Sequence, residues 1–249
     1  MDSEEKLLLS KAEDTMRIAQ KRYSVKTLGF LNPVERLFLT RNLLPDADMQ
    51  VIFNGGYPDA ERTLLVCAPD FLEPLPEEYL SVLECSGRDL ETLTHRDYLG
   101  SLMGLGIVRE SIGDILVADG KGFIFVKPSQ VPYILQNLTK IGRHGIRIRE
   151  CNIDEVVIPE PDTKEIQTTV SSLRLDSVLA AATNLARGKA AELIQAGLVT
   201  VNWETEEEVS CMLKEGDMLS VRGYGRIRLT SVGGLTRKGR QAIVVSRYV

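Results

Sequence analysis

Three prolines fall within residues 69–76 (Pro69, Pro74, Pro76), and Pro159 and Pro161 lie in the acidic stretch 158–165. A fixed φ and a missing N–H bar both stretches from a helix interior or a central strand. Both read as linkers that divide the 249-residue chain into segments of roughly domain size. The predicted division is an N-terminal α/β domain over 1–76, a central domain over 77–157, a linker over 158–170 and a C-terminal domain over 171–249. With 43% hydrophobic and 26% charged residues, the composition is that of a globular chain able to bury a core. No uncharged apolar run reaches the roughly 18 residues that suggest a membrane helix. The start, Met1-Asp2-Ser3-Glu4-Glu5-Lys6, is acidic and lacks a long apolar stretch. It resembles neither a signal nor a transit peptide, so a cytoplasmic location is expected.

Cys67, Cys85, Cys151 and Cys211 are scattered, and His95 and His144 lie far apart. No spacing suits paired metal ligands, so neither a zinc site nor another cofactor is expected, and the cysteines read as buried, reduced thiols. The formal net charge of −5 argues against a polyanionic partner, but the charge is uneven. Residues 222–249 hold seven cations (Arg222, Arg226, Arg228, Arg237, Lys238, Arg240, Arg247) and no acid. Screening makes local rather than total charge decide such contacts. The run fits either a solvated face or a polyanion contact.

In the first segment, residues 7–19 and a stretch opening at Pro33 after Asn32 read as helices, and 49–53 and 63–67 as strands. The loop between those strands, Asn54-Gly55-Gly56-Tyr57-Pro58-Asp59-Ala60-Glu61-Arg62, is expected to expose Tyr57 and Arg62. In the central segment, 79–85, 114–118, 122–127 and 146–151 read as strands and 94–105 and 129–141 as helices. Thr94 with Asp97 is a capping-box variant, and Asp119-Gly120 is a hairpin turn. Gly106 reads as a helix stop and Gly113-Asp114 as a turn. The order β-α-β-β-α-β is ferredoxin-like and shared with the common RNA-recognition domain. Phe123 and Phe125 alternate on the third strand; they suit either base stacking or, as read here, a core facing the helix layer.

The C-terminal segment has the clearest periodicity. Leu175, Val178, Leu179 and Ala182 mark one helix, and Ala190, Leu193, Ile194 and Gly197 a second that stops at Gly197. Short strands follow at 198–202, 218–222, 226–232 and 241–248. The predicted class is α+β: an N-terminal α/β region, a ferredoxin-like middle and a helical pair on a small antiparallel sheet. Arg174 opens the first helix, and Arg187 and Lys189 the second. Cations at a helix N-terminus oppose its dipole, an arrangement that makes sense if an anion covers the exposed N–H groups. A nucleic-acid phosphate would pair with the guanidinium forks, and Gly188 would let the backbone approach. The alternative is that these side chains turn into water or pair with Asp176 or Glu192.

The string Leu173-Arg174-Leu175-Asp176, Ala186-Arg187-Gly188-Lys189-Ala190, Leu193-Ile194, Gly197-Leu198-Val199-Thr200-Val201-Asn202 and Gly216-Asp217 resembles the ribosomal-protein S4 RNA-binding module, with Ala186 where that module commonly has serine. Gly55-Gly56-Tyr57-Pro58-Asp59-Ala60-Glu61-Arg62, Thr94-His95-Arg96-Asp97-Tyr98-Leu99-Gly100, Leu105-Gly106-Ile107, Gly113-Asp114-Ile115 and Asn137-Leu138-Thr139-Lys140-Ile141-Gly142 extend the resemblance to the YlmH family over nearly the whole chain. This implies a bacterial or plastid-lineage protein with a ferredoxin-like RNA-binding domain and a C-terminal S4 module. The implied role is to bind the large ribosomal subunit and peptidyl-tRNA and help rescue stalled complexes. One cyanobacterial branch is named for photosystem II, and the ending 239–249 resembles it.

His95-Arg96-Asp97 has no nucleophile or metal partner beside it, so a helix cap is the reading preferred over catalysis. Arg109 is left open between a basic patch and a surface ion pair. The expectation is therefore a non-enzymatic protein that binds structured rRNA or tRNA. Arg174, Arg187 and Lys189 contact phosphate, Arg222 and Arg226 extend the footprint, and Asp176 orients a basic neighbour. The rivals are an RNA-modifying enzyme of the pseudouridine-synthase type and a scaffold in cell division or photosystem assembly.

Overall fold

The structure, a computed structural model, describes residues 2–159 and 162–248. The chain divides into two compact units, Met1–Pro159 and Glu160–Val249. The class is α+β.

The first unit opens with α1 (Ser3–Arg22), β1 (Lys26–Leu31), α2 (Pro33–Asn42), β2 (Met49–Asn54) and β3 (Thr63–Pro69). The strands form an antiparallel sheet in the order β1-β3-β2, so Pro69, read with the linker 69–76, instead ends the central strand opposite Met49, where the last position needs no further ladder donor. Asn32 caps α2 with Glu35 reaching back, and Pro33 takes the first turn, where its missing N–H costs nothing. The second half contains β4 (Ser81–Gly87), α3 (His95–Gly104), β5 (Ile112–Ala118), β6 (Lys121–Val126), α4 (Val131–Asn137), β7 (Lys140–Ile141) and β8 (His144–Cys151). Its sheet order is β5-β6-β4-β8-β7, all antiparallel. Without β7 this is the ferredoxin-like arrangement. Asp119 and Gly120 turn the β5–β6 hairpin with positive φ at both, the conformation a two-residue turn requires. The helix expected over 129–141 is confined to α4, because Lys140 and Ile141 pair with Gly145 and His144.

One face of this five-stranded sheet packs under α3 and α4, burying Leu83, Tyr98, Leu102, Ile124 and Ile134. The other face carries Val82, Phe123 and Phe125, which pack with Phe30, Leu64 and Val66 of the N-terminal sheet. Phe123 is 1% exposed and Phe125 0%. The two aromatics are core residues, but they face the N-terminal sheet instead of the helices. Gly113, expected in a turn, lies in β5 beside a register shift, with the Phe30 ring against it. An added Cβ would stand 2.5 Å from Phe30 Cε1. Gly113→Ala is therefore expected to cost about 1–3 kcal/mol in urea unfolding, the usual range for overpacking.

The second unit contains β9 (Thr163–Val170), α5 (Leu175–Thr183), α6 (Arg187–Gln195), β10 (Val199–Val201), β11 (Glu204–Thr205), β12 (Met218–Val221), β13 (Gly225–Leu235) and β14 (Gln241–Tyr248). Its sheet order is β11-β10-β12-β13-β14-β9. The stretch 158–170, read as a linker, is corrected for 163–170. These residues pair with β14 along its whole length and shield what would otherwise be an open edge. Residues 160 and 161, named with that linker, lie outside the described residues. Leu175, Val178, Leu179, Ala182, Ala190 and Ile194 meet Leu219, Val221, Ile227, Leu229, Ile243 and Val245 in one core. Gly197 ends α6 at φ +66, where a side chain would be strained.

Candidate nucleic-acid interface

The two helix starts in the second unit differ. Neither Arg174 nor Ala186, the capping positions of α5 and α6, makes a side-chain cap. At α5 the Leu175 N–H donates to Cys211 O (2.8 Å) and the Asp176 N–H to Val209 O (3.4 Å). These donors are spent, so the expectation of open N–H groups fails there. At α6 no acceptor among the described residues meets the N–H groups of Arg187, Gly188 and Lys189. Nothing stands within 4 Å of where a Gly188 Cβ would lie. This end of α6 is the open donor set, with the positive end of the helix dipole behind it.

Asp176 joins the two starts: Arg174 and Arg187 both pair with it and Lys189 pairs with Glu192, the pairing the sequence offered as the alternative to open cations. Asp176 is 4% exposed, yet its carboxylate accepts from Arg187 Nε (2.8 Å) and from Arg174 Nε (3.2 Å) and Nη2 (3.4 Å). Burial raises the pKa of Asp176, but the bonds from Arg187 and Arg174 and their charge outweigh it and hold the group below its ordinary value. The side chains of Arg174 and Arg187 remain 35% and 53% exposed. The result is two outward guanidiniums fixed by one buried carboxylate, with one excess positive charge, beside an open helix start.

Asp176→Asn tests this. The pair contacts stabilise the fold fully above the unfolded aspartate pKa of about 3.9 and are lost as pH falls through the lower folded value. The variant is expected to melt a few degrees lower at neutral pH and to lose that part of the acid dependence. It should also bind RNA more weakly although it gains a positive charge, because the forks lose their alignment. Thermal melts against pH and filter binding check both; tighter binding would show that Asp176 only neutralises.

Lys189 is spent differently. It pairs with Glu192 (2.8 Å), both side chains being more than half exposed, which is a weak surface contact. Arg222 and Arg226 do not join the Asp176 assembly. They line a groove with Gly197, Leu198, Thr200 and Ser220, where the Arg222 N–H donates to Leu198 O. Arg226 lies opposite Ser220 in β12 and alternates with buried Ile227, so it faces away from the helices. The basic run also supplies the β13–β14 turn, where Arg237 and Lys238 are exposed and Arg240 is tied to Thr169. Nine residue steps along the strand, roughly 30 Å, separate Arg226 from Leu235 at that turn. The run is therefore spread along the sheet.

The motifs of the first unit prove to be joints. Asp114, 9% exposed, accepts from the Tyr57 hydroxyl (2.7 Å) and from the N–H groups of Glu61 (2.7 Å) and Arg62 (3.1 Å). Arg62 donates to the carbonyls of Phe30, Arg109 and Ile112. The expectation that Tyr57 and Arg62 are exposed is thus overturned: both are half-buried, tied to a partner far away in sequence. Burial, then the Asp114 carboxylate, raises the Tyr57 pKa; burial lowers that of Arg62. Arg109, left open between a basic patch and an ion pair, donates to the carbonyls of Ile112 and Gly113. Asp97 accepts from the Thr94 N–H and hydroxyl (2.8 Å each), the cap expected at α3. Cys67 and Cys85 are buried thiols pushed up to about 12, which makes them poor nucleophiles at neutral pH. Among the described residues no cluster of His, Cys, Asp and Glu could hold a metal, and no helix is long and apolar enough to cross a membrane.

Comparison with known proteins decides the family. Over 246 residues, covering 98% of this chain and 95% of the relative, the sequence is 33% identical to the ribosome-associated protein quality control protein P2 of Bacillus subtilis. The chain belongs to the YlmH family. Residues 81–155 match the domain described as "Putative RNA-binding domain in YlmH", and residues 173–219 match the S4 domain. The solved cell division protein ylmH from Streptococcus pneumoniae superposes with a TM-score of 0.53 at 20% identity, over 63% of this chain and 96% of that one, a likeness of fold. Arg174, Asp176, Arg187 and Lys189 lie inside the S4 match; Arg222, Arg226 and the β13–β14 hairpin lie beyond it. Sequence reasoning missed the Asp114 joint, whose signal was an acidic residue beside a strand glycine.

Proposed function

We propose that this YlmH-family chain docks on structured ribosomal RNA and tRNA of the large subunit and takes part in rescuing stalled peptidyl-tRNA complexes without catalysing a reaction. Two matched RNA-binding domains and the ribosome-associated relative support the reading. The observation that carries it is the Arg174–Asp176–Arg187 assembly beside the open start of α6. Phosphate oxygens would complete the unused donors of both forks and the bare N–H groups. Lys189 adds a surface charge to that footprint, and Arg222 and Arg226 form an outlying contact. Asp97 is engaged in capping α3, which favours a binding role over chemistry at His95.

Co-sedimentation tests this. The protein is expected to pellet with isolated large subunits at low salt and to be released as salt rises. Pelleting that is insensitive to salt and survives nuclease would favour a protein scaffold. A mass change in the RNA after incubation would favour a modifying enzyme.

A further inference from the structure

The N-terminal sheet covers only part of one face of the ferredoxin-like sheet. Val82, Phe123 and Phe125 lie beneath it, but the other end of the same face is open. Strand register identifies what stands there. Ser86 pairs with Arg147 and Glu84 with Arg149 across β4 and β8, and Glu84 with Phe123 across β4 and β6. Ile146 and Ile148 pack toward the helices, so Arg147 and Arg149 project on the opposite side, with Phe123 and Lys121. Glu84, 6% exposed, is engaged by Lys121 (3.3 Å) and Arg149 (2.7 Å), and Arg149 also bonds Glu155 (2.8 Å). Arg147 and Arg88 are exposed and make no ion pair among the described residues. Together with Ser86, Gly87, Gly145 and Ile146 they line an open cleft of about 520 Å³. Nothing stands within 4 Å of where a Gly145 Cβ would lie, so a chain could approach the backbone there.

We propose that this cleft is a second RNA site, on the first unit, that takes the sugar–phosphate backbone through Arg88, Arg147 and the Ser86 hydroxyl. The inference rests on the reading of the chain as RNA-binding. It differs from the usual use of such a sheet: the aromatics that would stack bases are sealed, so contact runs through phosphate and is indifferent to base sequence. Segment 140–149 fits this, with Lys140, Arg143, Arg147 and Arg149 and no acid.

The test is binding of a stem-loop RNA by the full chain, carried through a salt series, for wild type, R88A/R147A, R174A/R187A and the combined variant. The site predicts that R88A/R147A flattens the log-salt slope by about 1–2 units, equally for stems of different sequence, with an unchanged melt. It also predicts a further loss in the combined variant. An unchanged slope in R88A/R147A overturns the second site and leaves the α6 reading intact, whereas loss in that variant alone sinks the α6 reading and keeps this one. Self-association of R88A/R147A with RNA affinity retained would show that these arginines only guard the outer edge of β8 beyond its short pairing with β7, and would also overturn the proposal. Should the double variant fold poorly, G145D, which places a carboxylate in the cleft from open space, must weaken binding in its stead; unaltered binding by folded G145D refutes the site.

Discussion

Replacing Arg174 and Arg187 together by alanine lowers the affinity for structured RNA about 30- to 100-fold near physiological salt and flattens the log-salt slope by about 1–2 units. Both forks are outward and both are aligned by Asp176. A nucleic acid gains fixed donors without the side-chain ordering cost that free arginines carry. Lys189→Ala, made in addition, brings a smaller decrement, because that ammonium rests on Glu192 at the surface. A salt series of filter-binding isotherms reads both quantities. Equal loss at every salt, without a change in slope, would mean that the substitutions damaged the fold instead.

Phe125→Ala destabilises the first unit by about 3–5 kcal/mol, read as an earlier urea transition. The ring is fully buried, stands 5.2 Å from the Tyr57 ring and lies against Gly56. Removing it opens a cavity between the two sheets. The milder Phe125→Leu keeps the fold and leaves RNA affinity unchanged. A folded Leu variant that loses RNA would restore the base-stacking role for this strand.

What the sequence revealed was local. The start of α2 was legible from Asn32 and Pro33, and the cap of α3 from Thr94 with Asp97, because both act within one turn. The α5 and α6 repeats were legible because buried positions recur at helical spacing. Features set by distant partners were not. The strand β9 reads as an acidic linker until β14 pairs with it, and β1, with only six residues and no clear alternation, emerges only beside β3. Tyr57 and Arg62 look exposed in a glycine loop, because the carboxylate that buries them is Asp114. The basic residues were legible as a set, but their grouping was not. Asp176 draws Arg174 and Arg187 together, while alternation along β13 turns Arg226 to the opposite face.

The most direct test is photo-crosslinking of the full chain to large ribosomal subunits, followed by mass mapping of the peptides that carry nucleotide. A phosphate cradle at the start of α6 predicts adducts on the peptides bearing Arg174 and Arg187, lost when Asp176 is replaced by asparagine. Adducts confined to the first unit, or unaffected by that replacement, would contradict it.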